Sequence, residues 1–455
     1  MYDVIVLGGG PGGYLAAERA GQAGLQTLCI EDRHLGGTCL NEGCIPTKTM
    51  LHSAKTYAHA VNGACYGVTA QSVSIDHSAV IDRKERVIKT LVGGVSAALK
   101  ASHVEVLHGT GSIVDKTAQG ITLQVGQDRY VGKNLIIATG SVNAVPPIDG
   151  LQESLATGFA LTNREMLSLR EAPKRLVVVG GGVIGLEMAS YYQLTGTEVT
   201  VVEMLDHIGG PCDKDLVQLL HKSYLRDGMK FELNARVNAI RDGKVSCQRG
   251  SEVFELEADK VLVAIGRKPN SSIPGLETLN LAMDRGAIRT DDRLRTNLPG
   301  VYAVGDVNGK HMLAHTAYRE AEVAVNTILG KPDKMNYHAI PSVLYTIPEL
   351  SSVGLTEDDA KAQGLDVSVV KIPMAYSGRY VAENEPANGI FKLVVNRKTR
   401  TIVGAHALAN SSSEFIAAVG ILIDLALPMD LVKKQIFPHP TVSEIIHEAA
   451  CQYRD

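Results

Sequence analysis

Two thiols, Cys39 and Cys44, stand five residues apart in the run Gly36-Gly37-Thr38-Cys39-Leu40-Asn41-Glu42-Gly43-Cys44-Ile45-Pro46-Thr47-Lys48. Cysteines this close can pass electrons as a reversible disulfide if the backbone brings them together. A straight helix would separate them by about 7.5 Å along its axis, whereas a disulfide needs Cα atoms about 4.4–6.8 Å apart. The chain must therefore bend between them, and Gly43 permits the bend. Pro46 suits the first turn of a helix that begins near Cys44. Cys44 then sits at a helix N-terminus, where a thiolate is favoured, with Lys48 one turn further on the same face. The alternatives are two buried structural cysteines or half of a zinc site. The flanking glycines argue against the first. The lack of a second close Cys or His pair argues against the second, so no metal is expected.

A second chemical segment lies near the other end, in Phe437-Pro438-His439-Pro440-Thr441-Val442-Ser443-Glu444. His439 is braced between two prolines, and Glu444 is near enough to orient its imidazole. A histidine held by a carboxylate can move a proton for a thiol. Ser443 is expected to cap a helix beginning at Glu444.

The elements that must position these groups announce themselves by repetition. Val4-Ile5-Val6-Leu7 runs into Gly8-Gly9-Gly10-Pro11-Gly12-Gly13, and Leu176-Val177-Val178-Val179 runs into Gly180-Gly181-Gly182-Val183-Ile184-Gly185. Each is an apolar strand followed by G-x-G-x-x-G. A helical pattern follows each, then a second apolar strand that ends in an acid, Glu31 or Glu203. The step from Gly13 to Glu31 equals the step from Gly185 to Glu203. One such motif is a common glycine turn; two complete copies at matched spacing indicate two dinucleotide-binding βαβ units. Strand-then-glycine segments recur at Asn134–Gly140, Lys260–Gly266 and Gly300–Gly305. After about residue 338 the pattern changes. Strands at 342–345, 390–396 and 401–407 precede helical stretches from Ser413 and Ser443, which reads as an α+β unit without a nucleotide motif. The expected fold is α/β: two Rossmann-like dinucleotide-binding domains and a C-terminal α+β domain.

Composition removes other classes. Net charge is −4 with no basic run, so neither nucleic acid nor an anionic membrane surface is an expected partner. The longest apolar stretch, 415–427, carries Asp424 and stops at Pro428, short of a membrane span. The seven cysteines are odd in number and spread out, unlike a secreted disulfide framework. Nor does the N-terminus read as a leader, so a cytoplasmic location is expected.

These residues make the chain similar to the pyridine nucleotide–disulfide oxidoreductases along essentially its whole length. The run from Gly36 to Lys48 looks like the redox signature of the members that oxidise dihydrolipoamide. His439-Pro440-Thr441-Val442-Ser443-Glu444 looks like their C-terminal acid–base signature. Met312-Leu313-Ala314-His315 after Gly305-Asp306, and Tyr345-Thr346 with Pro348-Glu349-Leu350, resemble them too. Glu42 departs from the valine that many members carry there.

The resemblance implies FAD at Gly8, Gly10, Gly13 and Glu31, with Glu31 on the adenosine ribose and Asp306 on the ribityl chain. Lys48 would lie by the reactive flavin nitrogen. Thr139, Gly140, Ser141, Gly111, Met312, Leu313, Ala314 and His315 would line the flavin site. It implies NAD at Gly180, Gly182, Gly185, Glu203 and Gly266, with Glu187 near the nicotinamide. Cys39 would exchange with substrate, Cys44 would contact the flavin, and His439 with Glu444 would move the proton. The implied domains are FAD-binding 1–147, NAD-binding 148–267, a central segment 268–338 completing the FAD site, and a dimerisation domain 339–455. The implied reaction is oxidation of protein-bound dihydrolipoamide by NAD in a homodimer. Its partner would be the lipoyl domain of a 2-oxo-acid dehydrogenase complex or glycine-cleavage system. Related NAD(P)H-dependent disulfide or mercuric reductases are the alternatives, with a non-enzymatic flavoprotein scaffold further off. Glu203 opposes the 2′-phosphate of NADP, and the C-terminal vicinal cysteine pair of a mercuric reductase is represented only by Cys451.

Overall fold

The apolar strands that run into and follow the two glycine motifs land in the interior of parallel sheets, where both faces are covered and side chains of both orientations must be apolar. The structure, a computed structural model, describes residues 1–454. In the first unit, strand Tyr2–Leu7 is flanked in parallel by Thr27–Glu31 and Asp128–Ile137, with Glu105–His108 beyond Thr27–Glu31. Strands Gly120–Val125 and Gly111–Thr117 extend the sheet antiparallel from Asp128–Ile137. The seventh strand, Val301–Ala303, comes from far along the chain and pairs in parallel with Leu135–Ile137.

The second unit repeats this plan. Five parallel strands run in the order Lys230–Glu232, Glu198–Val202, Arg175–Val179, Lys260–Val263, Ala160–Leu161. A three-stranded antiparallel sheet, 236–257, attaches beside it. The segments that lead into and out of this unit, Ser141–Asn143 and Arg267–Pro269, run side by side as an antiparallel pair.

The glycines of both motifs have a physical reason. Gly8 and Gly180 adopt φ of +105° and +108°, a region that excludes side chains with a Cβ. A Cβ on Gly13 would lie 1.8 Å from the Gly8 carbonyl oxygen, and one on Gly185 2.0 Å from that of Gly180. The helices Pro11–Gln22 and Val183–Leu194 can therefore approach their strands only through glycine.

The third unit is a five-stranded antiparallel sheet ordered Ser342–Leu344, Leu350–Gly354, Thr401–Leu408, Ile390–Asn396, Val367–Pro373. Helices Ser412–Asp424 and Ile445–Gln452 pack on it. The α/β class with two Rossmann-like sheets and an α+β third unit thus holds. Among the described residues no helix is long and apolar enough to cross a membrane.

A buried charge cluster fastens the third unit to the second. Lys392 and Asp213, each 3% exposed, are 2.8 Å apart, and the same ammonium reaches Asp215 at 3.1 Å and Glu357 at 3.2 Å. Removing one side of a buried pair leaves an uncompensated charge. Lys392→Met should therefore cost roughly 3–5 kcal/mol of stability, seen as a lowered thermal midpoint. Adding Asp213→Leu should return part of that loss, because the cluster then carries one charge fewer.

Candidate active site

The short helix Gly37–Glu42 carries Cys39, and Cys44 opens the long helix Cys44–Val61. Gly43 makes the break between them, at φ −145° and ψ −106°. A Cβ there would sit 3.1 Å from the Thr38 carbonyl oxygen, so the tight approach of the two helices uses the absent side chain. Asn41 donates to the carbonyls of Leu35 and Gly37 at 3.0 and 2.9 Å, which holds the first helix on its loop. The two sulfurs are free thiols, hydrogen-bonded to each other. Accepting the Cys39 S–H brings the Cys44 thiol down to about 7; burial opposes this and the charge of Lys48 assists it. The same hydrogen bond, with burial behind it, drives the Cys39 thiol far up. The pair is thus polarised: Cys44 carries the thiolate and Cys39 keeps the proton.

Lys48 lies one turn along from Cys44. Its ammonium is 2.7 Å from Glu187 Oε2 and 4.4 Å from the centre of the Tyr345 ring. Glu187 is buried on the second unit's helix, and its Oε1 accepts the Tyr345 backbone N–H at 3.0 Å. One residue from each unit therefore meets beside the thiols. Tyr345 stood in a recognisable motif, but its type gave no hint of this contact.

The two glycine loops are latched by their acids in the same way. Glu31 Oε2 accepts from Gly9 N at 2.6 Å, and its Oε1 from Arg33 N and His34 N at 2.8 and 3.1 Å. Glu203 Oε2 accepts from Gly181 N at 2.7 Å and Oε1 from Leu205 N at 2.9 Å. In both loops the middle glycine of the motif is open. A Cβ on Gly10 would meet nothing nearer than Gly37 Cα at 3.8 Å, and one on Gly182 nothing within 4 Å. That shape suits a pyrophosphate set on a helix N-terminus.

Residues that the resemblance assigns to the flavin converge at the end of the first sheet. Ser141 Oγ donates to Asp306 Oδ2 at 2.5 Å, and Thr139 Oγ1 donates to the Asn270 carbonyl at 2.7 Å. Gly140 adopts φ +69°. Burial raises the Asp306 carboxyl, and a hydroxyl-rich ligand would satisfy its remaining lone pairs. Leu313 is the N-cap of helix Ala314–Ile328, Met312 precedes it, and His315 is hydrogen-bonded to the Pro341 carbonyl at 2.8 Å. Gly266, at φ +118°, accepts from Ala144 N through its carbonyl. Gly111 has a packing reason of its own: a Cβ there would meet Leu7 Cδ1 at 2.6 Å.

Two residues that spacing did not single out organise this region. Arg267 donates to Ser141 Oγ, Ser141 O and Asn143 Oδ1 at 2.6–2.7 Å. Glu320, fully buried, accepts from Gly305 N, Asn308 Nδ2 and the Tyr337 hydroxyl at 2.6–2.8 Å, fixing the loop that presents Asp306. Arg267 directly follows the Gly266 signal and could have been marked on that ground. Glu320 reads as an ordinary helical surface acid.

At the other end His439 Nδ1 is 2.8 Å from Glu444 Oε1. The imidazole is 79% exposed. The cap differs from expectation: Thr441, not Ser443, caps the helical stretch, in a capping box with Glu444, which accepts Thr441 N at 2.7 Å. The regular helix begins at Ile445. The T-x-x-E spacing favours this because N-cap and N3 satisfy each other's donors. Glu444 thus orients His439 with one oxygen and closes the helix with the other, and both bonds lower its carboxyl. Among the described residues no hydrogen bond or ion pair links His439 to Cys39, Cys44 or Lys48 of the same chain.

Comparison with known proteins agrees with this geometry. A family model described as pyridine nucleotide-disulphide oxidoreductase matches residues 2–321, and the dimerisation domain of that family matches 340–450. The chain is 36% identical to dihydrolipoyl dehydrogenase of Chlamydia muridarum, over 99% of this chain and 96% of that one. It is 37% identical to the enzyme of that name from Geobacillus stearothermophilus, over 98% and 95%. Among solved structures it is similar to the HOCl-induced flavoprotein disulfide reductase RclA from Escherichia coli, with a TM-score of 0.88, 29% identity and 100% of both chains covered.

The polarised thiols make a direct prediction. In the reduced protein the alkylation rate of Cys44 by iodoacetamide, followed by mass spectrometry, should rise through a midpoint near pH 7, about 7 being where the thiol is held. Cys39 should lag at every pH. In Cys39→Ser that midpoint should move, because the S–H donor that contributes most to it is replaced by a hydroxyl.

Proposed function

The chain belongs to the pyridine nucleotide-disulphide oxidoreductase family and works with FAD and NAD, and on that premise we propose that it oxidises protein-bound dihydrolipoamide to lipoamide. The supporting observation is the polarised Cys39–Cys44 pair, set at a helix N-terminus beside the Lys48–Glu187 pair where the two nucleotide units meet. Full-length likeness to dihydrolipoyl dehydrogenases supports the substrate.

In this reading a substrate thiolate attacks Cys39 Sγ of the oxidised pair, and Cys44 leaves as the better, lower-pKa leaving group. The second substrate thiol then attacks the mixed disulfide, closing lipoamide and releasing Cys39 with the electron pair now on the two cysteines. His439, oriented by Glu444, takes the substrate proton through Nε2. FAD, when held by the first unit, would supply the two-electron chemistry that links the dithiol to NAD. Lys48, fixed by Glu187, supplies a positive charge where electron density arrives, and Asp306 with Ser141 and Arg267 holds the polar chain of the flavin.

The first unit, with the returning segment that carries Asp306, is the proposed FAD domain. Glu31 would take its adenosine ribose. The second is the proposed NAD domain, and the third the dimerisation domain. The lipoyl group arrives on the lipoyl domain of a 2-oxo-acid dehydrogenase complex or a glycine-cleavage system, in the cytoplasm.

A steady-state comparison decides the substrate. Dihydrolipoamide with NAD should be turned over far faster than glutathione disulfide or mercuric ion with NADPH, and the reverse order overturns the assignment. Glu203 should also set cofactor choice, since its carboxylate repels a 2′-phosphate and accepts from a 2′-hydroxyl. kcat/KM should favour NAD over NADP strongly in the wild type, and Glu203→Gln should narrow the ratio mainly by improving NADP.

The separation of His439 from Cys39 within one chain supports a shared site in a two-fold dimer, where each protomer lends its histidine to the other. Cys39→Ser and His439→Ala proteins, each nearly inactive, should regain activity when unfolded and refolded together. Random pairing makes about half the dimers mixed, each with one whole site, so about a quarter of wild-type activity should return. Sites built within one chain would recover nothing.

A further inference from the structure

The redox segment is gripped by the second unit at a residue the reaction does not use. Glu42 lies between the two cysteines in sequence, and its carboxylate, 15% exposed, pairs with Arg33 on one side and with Arg164 Nε at 2.9 Å on the other. Its carbonyl accepts from Asn163 Nδ2 at 2.5 Å. Asn163 and Arg164 open the helix Asn163–Met166, which the Thr162–Glu165 capping box fixes directly after strand Ala160–Leu161 of the second sheet. Two consecutive residues of the nucleotide unit thus hold the backbone and the side chain of one residue beside the thiols. The Arg164 charge lowers both Arg33 and Arg267, and Arg267 lies within electrostatic reach of Cys44.

We propose that Glu42 is a positioning residue that sets the reduction potential of the Cys39–Cys44 couple, by masking the positive charge that Arg33 and Arg164 would otherwise project onto it. The inference rests on the reading of these cysteines as the redox pair. Reduction of the disulfide takes two electrons and one proton; it breaks the S–S bond and leaves a Cys39 thiol and a Cys44 thiolate. The reduced form therefore carries one more negative charge than the oxidised form, and any unmasked cation nearby favours it. A carboxylate held between two guanidiniums offsets one of their two charges, so it lowers that bias and keeps the couple reducing enough to hand its electrons on.

The test is an equilibrium titration of the holoenzyme at pH 8 against dihydrolipoamide and lipoamide mixtures, with the fraction of paired cysteines read by thiol labelling and mass spectrometry. Glu42→Gln should shift the equilibrium constant toward the dithiol by roughly three- to tenfold, as one unit charge screened near a protein surface would. Each tenfold step is about 30 mV for a two-electron couple. Arg164→Gln should shift it the opposite way, the double variant should return close to wild type, and Glu42→Asp should stay near it. If Arg164→Gln does not fold, Arg33→Gln takes its place. Shifts in the same direction, or none, overturn the inference even while the cysteines cycle normally. A wild-type pair that takes up no electrons overturns instead the reading on which it rests.

Discussion

The geometry near the thiols turns on one ion pair, Lys48–Glu187, whose carboxylate is buried. Glu187 is almost wholly buried and commits one oxygen to Lys48 and the other to the Tyr345 backbone. A carboxylate without those partners would be costly in that environment, so the three units are obliged to meet at this point. Lys48 stands four residues from Cys44, and the same contact therefore fixes the direction of the helix whose first residue is the thiolate. The direction of that helix and the meeting of the three units at Lys48, Glu187 and Tyr345 follow from this geometry, and the Lys48 charge assists the polarity that the Cys39 S–H donor chiefly sets.

The repeated latch shows how one solution serves two sites. In each nucleotide unit an acid at or just after the end of the second strand reaches back to the glycine that follows the first of the motif, Gly9 or Gly181. The copies differ in detail. Glu31 is deeply buried and accepts a third backbone donor, His34 N, while among the described residues Glu203 accepts from Gly181 and Leu205 alone. Burial raises the Glu31 carboxyl, with the hydrogen bonds from Gly9 and Arg33 opposing it. The first loop is thus held by one more backbone donor than the second.

The nucleotide units and the cysteine pair were legible in the sequence because their signals are local. A strand, a glycine turn, a helix and an acid all fall within a short window, and so do Cys39, Gly43 and Cys44. What was not legible is long-range. Ser141, Arg267 and Asp306 form one hydrogen-bonded group across sequence separations of 126 and 165 residues, and no periodicity reports such a meeting. Glu320 lies in an amphipathic helix, where a charged residue reads as solvated, yet it is fully buried because three donors converge on it. The Thr441 cap could have been read from its T-x-x-E spacing; Ser443 drew attention only by standing next to the helix. Gly111 also has a packing reason that the sequence did not show, since a Cβ there would meet the side chain of Leu7.

The return of strand Val301–Ala303 to the first sheet has a consequence for how the molecule is made. Strand Asp128–Ile137 emerges early beside Tyr2–Leu7, but its second parallel neighbour arrives only after the whole second sheet, residues 160–263, has been synthesised. At about 5–20 residues per second, ribosomal delivery of the missing strand takes on the order of ten seconds. Throughout that wait the first sheet offers a bare edge along Leu135–Ile137, an invitation to mispairing. The second sheet, contiguous in the chain, can close on its own in the meantime. The vulnerable moment of the nascent protein is therefore the interval before residue 303 clears the exit tunnel.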